Sequence, residues 1–305
     1  MTSLKNKTNK TLIIILGPTA VGKTSFAIEL AKHINTEIIS ADSRQFYREM
    51  RIGTSAPTPE ELKSAIHHFI GNLSVTDYYN VSKFENEALC KLEEIFLSNS
   101  FAIMVGGSGL YIDAVCKGID ELPDPDEKIR KELKEKYKNQ GLEYLQQQLK
   151  KLDPEYYSIV DISNPNRLMR AIEICLVTGK TFSSLRNNIP KKREFEIIKI
   201  GLNRNRKSLF NIINSRVDKM INTGLIDEVK SLIKYRNFNA LNTVGYKEII
   251  EYLDEKITLK QAIENIKTNT RRYAKRQITW FNKDGSIKWF HPDEMQEIIE
   301  LINTY

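Results

Sequence analysis

Residues 11–24 read TLIIILGPTAVGKT, and the reading of this stretch decides the fold. Thr11 to Leu16 is a short run of β-branched and apolar side chains, the composition of a strand buried on both faces. Gly17, Pro18, Thr19, Ala20, Val21, Gly22, Lys23 and Thr24 follow as GxxxxGK[ST], and SFAIELAKHI (25–34) then has the spacing of an amphipathic helix. Strand, glycine-rich loop and helix in that order aim backbone N–H groups and a helix N-terminus at a bound phosphate. Lys23 reaches the terminal phosphates as a point charge, and the Thr24 hydroxyl is placed for Mg²⁺. The loop thus reports a diphosphate or a triphosphate (a nucleotide such as ATP included) without saying which.

Two further apolar segments end in special residues. EIIS (37–40) runs into Ala41-Asp42-Ser43, and FAIMV (101–105) runs into GGSGLY. Each is followed by helix-like sequence, so the first half predicts a parallel α/β sheet covered on both faces. Ligands of such sheets bind outside the carboxyl ends of the strands, where all three loops fall. Between Leu122 and Pro190 no strand-like run occurs, and the pattern is helical and charged. Pro123, Pro125 and Pro190 mark its edges. The organisation expected is therefore a flexible N-terminus over 1–10, an α/β core over 11–121 and 191–305, and a helical insertion over 122–190. EIIKIGL (196–202) resumes the core as a strand, and the last hundred residues read as helical.

Composition bounds the class. In 305 residues, 41% hydrophobic side chains are enough to bury a core, so global disorder is excluded. The net charge of +7 fits either a polyanionic partner or a lysine-rich compositional bias. Cys90, Cys116 and Cys175 are scattered, with no metal-ligand spacing, as in a reducing compartment. No run approaches the roughly 18 apolar residues of a membrane helix, and the run at 12–16 is too short for a signal peptide. A cytoplasmic enzyme without a membrane partner is expected.

Several residues carry candidate chemistry. Asp42 stands at a strand end beside the phosphate loop, either to take a proton or bind metal there, or to cap a following helix. Ser108, among Gly106, Gly107 and Gly109, either hydrogen-bonds a substrate or caps the next helix. Arg216, within NIINSRVDKMI, is either a solvated arginine or a clamp for a leaving phosphate. NTRRYAKRQITWFNK interleaves Arg271, Arg272, Lys275 and Arg276 with Tyr273, Trp280 and Phe281, as an RNA-binding helix or as an amphipathic helix with a buried tryptophan. His67-His68 is assigned no role.

With these residues placed, the sequence resembles the bacterial tRNA dimethylallyltransferases, also called tRNA isopentenyltransferases (the IPP transferase family). The matching pieces are GPTAVGKT (17–24), DSRQFYREMRIGTSAPT (42–58), HHFI (67–70), VGGSGLY (105–111), NRLMRAIE (166–173), VGYKEI (244–249) and KRQITWF (275–281). The resemblance implies a P-loop NTPase-like core, Mg²⁺ as cofactor, and transfer of a dimethylallyl group from dimethylallyl diphosphate to N6 of adenine 37 beside the tRNA anticodon. It implies Asp42 as general base and Thr19 to Thr24 as the diphosphate loop, with Arg216 as a diphosphate contact. It further implies tRNA contacts for Ser108, which stands where many members have Thr, and for Arg130. Stretches 42–45 (Asp42, Ser43, Arg44, Gln45) and 166–170 (Asn166, Arg167, Leu168, Met169, Arg170) match segments that line the tRNA path. Arg271, Arg272, Lys275, Arg276, Gln277 and Trp280 are expected on the same interface, and the enzyme is expected to act as a monomer on the anticodon stem-loop. Eukaryotic members often carry a C-terminal zinc finger, which this sequence stops short of.

Rival readings are a small-molecule kinase, an adenylate isopentenyltransferase and a P-loop RNA-binding protein. The first two leave the basic, aromatic C-terminal segment without a purpose, and the third leaves Asp42 without one.

Overall fold

All six strands of the sheet are parallel, in the order β3-β2-β4-β1-β5-β6. They are β1 (Thr11–Leu16), β2 (Ile38–Ser40), β3 (His67–His68), β4 (Phe101–Gly106), β5 (Glu196–Leu202) and β6 (Lys288–Phe290). The computed structural model describes residues 10–187 and 189–304. Residues 1–9, which make up nearly all of the expected flexible terminus, lie outside the described residues. β1 is paired along its whole length with both β4 and β5, and every residue in it is buried. Its alternating side chains feed two cores: Ile13 and Ile15 enter one sheet face, Leu12, Ile14 and Leu16 the other. This is why the run lacks polar alternation.

Two compact units divide the chain, one formed by Met1–Cys116 with Arg193–Tyr305 and the other by Lys117–Lys192. The second unit extends slightly beyond the proline-marked 122–190. Its described residues hold no strand. They form the helices Glu127–Leu152 (broken at Gly141, φ 73°), Pro154–Ile159, Pro165–Thr178 and Phe182–Leu185. These close around their own core, with Leu145, Leu149, Leu168, Ile172 and Ile174 at its centre. Buried Asp153 ties it by accepting from Tyr156 N, Ser183 N and Ser183 Oγ.

In the first unit, two expectations are revised. The segment after β2 does not enter a helix: residues 41–58 form turns, and the next helix is Pro59–Ser64. The Asp42 carboxylate closes the first of these turns by accepting from Arg44 N at 3.0 Å, which competes with helix initiation. The C-terminal region is not wholly helical, because KWF at 288–290 adds β6 beside β5. No helix among the described residues is long and apolar enough to cross a membrane.

Candidate active site

Three strand ends build the site. After β1 the chain turns at Gly17 (φ 144°), where a Cβ would meet Leu202 O at 2.3 Å, so only glycine lets β1 hand over to the loop. Gly22 (φ 111°) then opens the helix Lys23–Ile34 with no side-chain cap and no acidic residue in its first turn. The orphan N–H groups and the positive helix end are thus left for an anion. The Lys23 ammonium folds onto Gly17 O (3.0 Å) and Pro18 O (2.8 Å). Burial pushes Lys23 down to about 8, Asp42 pulls it back up, and Arg216 lowers it further.

Arg216 lies in the helix Arg206–Asn222, half-buried, with Nη1 donating to Thr19 Oγ1 at 3.3 Å. Burial lowers it from the usual arginine value, against the raising effect of Asp42 and Glu61. It is therefore not a solvated arginine but lies against the phosphate loop. Lys23, Arg216 and Asp42 therefore sit within electrostatic reach of one another.

The other two strand ends meet each other. Ala41 N donates to Val105 O at 2.7 Å and Ser108 N to Ala41 O at 3.3 Å. A Cβ on Gly106 would meet Ala41 O at 2.2 Å, so the glycine is required by this approach. Ser108 Oγ accepts from Ser43 N at 3.0 Å, which places its hydroxyl one residue from Asp42. Asp42 spends one bond on Arg44 N, and a carboxyl side chain has room to accept more. The expected cap role of Asp42 is absent, since no helix follows it.

The helix Leu259–Phe281, opened by a capping box at Thr258 and Gln261, passes over this loop. Tyr273 hydrogen-bonds the Ser108 side chain; burial and nearby Asp42 hold its phenol up at about 12. The sequence offered Tyr273 only as one aromatic of an RNA-binding or amphipathic helix, and its i, i+4 spacing to Gln277 is the signal that it faces the same loop. Trp280, half-exposed, donates from Nε1 to Asp113 at 3.0 Å. Arg272, Lys275 and Arg276 are exposed, Arg276 lying over the Tyr273 ring. Arg271 instead turns inward to Asn214 (2.6 Å) and Thr268 (2.9 Å).

Some expected RNA contacts are placed otherwise. Gln277 is only 6% exposed, and its amide is used inside the chain, so it is withdrawn from an RNA surface. Leu168 and Met169 pack in the core of the second unit. Their neighbours Asn166 and Arg167 are exposed on the same helix, Pro165–Thr178. Arg130 and Arg170 share the buried carboxylate of Glu173, at 2.6 and 2.9 Å, a pairing that engages only part of each guanidinium and does not withdraw them from RNA. Arg44 and Gln45 hold backbone carbonyls, of Asn239 and Ala240 and of Thr54 and Ser55. Arg204, given no role of its own in the sequence, donates to Val21 O at 3.2 Å from the end of β5; its position just past a core strand was the available signal.

Thr24, at the first turn beside Lys23, offers a hard oxygen ligand, as Mg²⁺ requires. Among the described residues no group of three or more His, Cys, Asp or Glu is arranged to hold a metal.

Comparison with known proteins identifies the family. Residues 45–284 match the family described as IPP transferase. A tRNA dimethylallyltransferase 1 of Bacteroides fragilis is 50% identical over 97% of this chain and 99% of its own length. The full-length tRNA isopentenylpyrophosphate transferase of Bacillus halodurans superposes with a TM-score of 0.72 at 37% identity, covering 97% and 96% of the two chains. A eukaryotic dimethylallyltransferase acting on tRNA gives 0.77 at 26% identity, over 94% of this chain and 75% of that one. The sheet, its phosphate loop and these full-length matches lead to one conclusion: the chain has a P-loop NTPase-like core and belongs to the IPP transferase family.

Proposed function

We propose that the protein is a tRNA dimethylallyltransferase that moves the allyl group of dimethylallyl diphosphate to N6 of adenine 37 and releases diphosphate. The observation that carries this reading is the pairing of Asp42 and Ser108 at two strand ends with Lys23, Arg216 and the loop amides at a third. A proton acceptor thus stands beside a built anion site.

The adenine N6 lone pair is delocalised into the ring, so the amine is a poor nucleophile. As the N6–C1 bond forms and the C1–O bond to diphosphate breaks, Asp42 takes the N6 proton. The leaving diphosphate gains charge, which Lys23, Arg216 and the N-terminus of the helix Lys23–Ile34 stabilise. Mg²⁺, held through the Thr24 hydroxyl and diphosphate oxygens, would supply further neutralisation of that charge. The adenine must leave its stack, at a cost of a few kcal/mol. Ser108 and Tyr273 stand where the extruded base would be met. Arg272, Lys275 and Arg276, with Arg130, Arg167 and Arg170 of the insertion, supply cations for the phosphates of the anticodon stem-loop. The enzyme acts as a monomer.

Incubation with tRNA and dimethylallyl diphosphate, followed by nucleoside mass analysis, tests the reading. A dimethylallyl mass increment on adenosine is expected. Modification of free adenylates with unmodified tRNA, or ATP consumption without allyl transfer, would hand the function to a rival.

A further inference from the structure

The helix Leu259–Phe281 lays three side chains, spaced i, i+4 and i+7, along one glycine-rich loop. Tyr273 bonds Ser108, Gln277 Nε2 donates to Gly107 O at 2.9 Å, and Trp280 lies so close over Gly109 that a Cβ there would meet its ring at 2.4 Å. This spacing puts all three on a single helix face. Gln277 differs from its two neighbours, because the other end of its amide belongs to a different loop: Oε1 accepts from Thr19 N at 2.8 Å. A planar group of fixed size therefore spans the diphosphate loop and the loop that carries Ser108. It is 6% exposed, and a Cβ on Gly107 would come within 2.2 Å of its nitrogen, so the amide packs against a position that only glycine can fill.

Both ends of the span lead to reacting groups. On one side, Thr19 Oγ1 accepts from Arg216, the cation of the anion site. On the other, Ser108 holds Ser43 N, next to Asp42. The Thr19 N–H is consumed by Gln277, so it shapes the loop rather than binding phosphate. We propose that Gln277 is a positioning residue that sets the separation between the leaving diphosphate and the proton-accepting Asp42. The proposal rests on the transferase reading above. In that reaction the amine, the allyl carbon and the leaving oxygen must align with reacting atoms about 3–3.5 Å apart, and a misplacement of about 1 Å costs on the order of 10²-fold in rate. A brace that touches neither substrate but fixes both loops controls that distance.

Two variants test it. Gln277→Met keeps length and burial while removing both hydrogen bonds. Its kcat should fall by roughly 10–100-fold, while affinities for inorganic diphosphate and for tRNA stay within about threefold of wild type. Gln277→Glu keeps an acceptor for Thr19 N but, when ionised, has no proton for Gly107 O; protonated, it has one. The ratio of its kcat to that of wild type should therefore rise as pH falls, and taking the ratio cancels the pH dependence that both proteins share. A side chain that merely fills the core predicts otherwise: the Met variant would lose affinity and melting temperature together, and the Glu ratio would be flat with pH. Either result overturns the proposal, as does an unchanged kcat in Gln277→Met. A wild-type protein that prenylates no adenosine would sink the transferase reading first and this one with it, so the two failures are distinguishable.

Discussion

Asp42 and Lys23 make the sharpest expectations at the scale of single residues. Asp42→Asn keeps the size of the side chain and an acceptor oxygen for Arg44 N, but an amide cannot take the N6 proton. Transfer should fall by about 10²–10⁴, with tRNA affinity within a few-fold, measured by single-turnover rates and equilibrium binding; near wild-type turnover would remove Asp42 from the mechanism. Arg216→Ala should lose more in rate than in ground-state binding of dimethylallyl diphosphate, because its charge faces a group whose own charge grows at the transition state. Lys23 carries an expectation about stability. Its folded value of about 8 lies below the ordinary 10.5, so the buried cation is less favourable than the unfolded one. Between those two values the folded chain binds fewer protons than the unfolded chain, and stability rises with pH; below pH 8 the full penalty is present. Lys23→Met should therefore melt higher than wild type at pH 7, with the gap closing through pH 8 to 10.5. Added diphosphate should raise the wild-type melting temperature far more than the variant's. A variant less stable than wild type at pH 7 without diphosphate would contradict this. The phosphate loop was legible at this scale because its chemistry and its spacing are the same signal. Arg216 and Gln277 were not, since a helical arginine or glutamine reads alike in solvent, on RNA or against a loop. Tertiary packing alone separates those cases.

For the elements, legibility followed burial. β1, β4 and β5 are long apolar runs inside a parallel sheet, and their sequences announce them. β3 and β6 are two- and three-residue edge strands made of His67-His68 and Lys288-Trp289-Phe290. They owe their pairing to the neighbour already in place, not to a pattern of their own. The segment 41–58 misled because an aspartate after a strand is a helix cap or a turn former according to what the following amides find. The helix Leu259–Phe281 is amphipathic, as one of its two readings expected, but its tryptophan is not buried: Trp280 is 38% exposed. Ala262, Ile266, Ala274, Gln277 and Phe281 are buried, while Arg272, Lys275 and Arg276 point outward. If the outward cations meet tRNA phosphates, each contact adds roughly 0.7–0.9 to the slope of log K against log salt. Lys275→Ala combined with Arg276→Ala should lower that slope by about one to two units without changing diphosphate affinity. Arg271, engaged with Asn214 and Thr268, should contribute less. Titrations of tRNA at several salt concentrations decide it: an unchanged slope would leave this helix a purely structural role.

The whole molecule divides its labour between two units with separate cores. Every residue of the proposed diphosphate site, from Gly17 to Thr24 with Arg216 and Asp42, belongs to the unit formed by Met1–Cys116 and Arg193–Tyr305. The proposed RNA cations are shared: Arg272, Lys275 and Arg276 belong to that unit, and Arg130, Arg167 and Arg170 to Lys117–Lys192. A ligand protects the amides of what it binds, since opening there must also release it. Inorganic diphosphate should therefore slow hydrogen exchange around β1, the phosphate loop and the helix Arg206–Asn222. It should leave the helices around Leu145, Leu149 and Ile172, the core of the second unit, at their free rates. The anticodon stem-loop should slow exchange in both units, most clearly near Arg167, which is exposed and free of the Glu173 pairing that holds Arg130 and Arg170. Exchange followed by mass spectrometry reads both cases in the intact chain. Equal protection of the second unit by diphosphate would mean that the anion site reports across the whole molecule. Absence of protection there by RNA would confine recognition to the helix Leu259–Phe281 and its unit, leaving the insertion's arginines out of the interface.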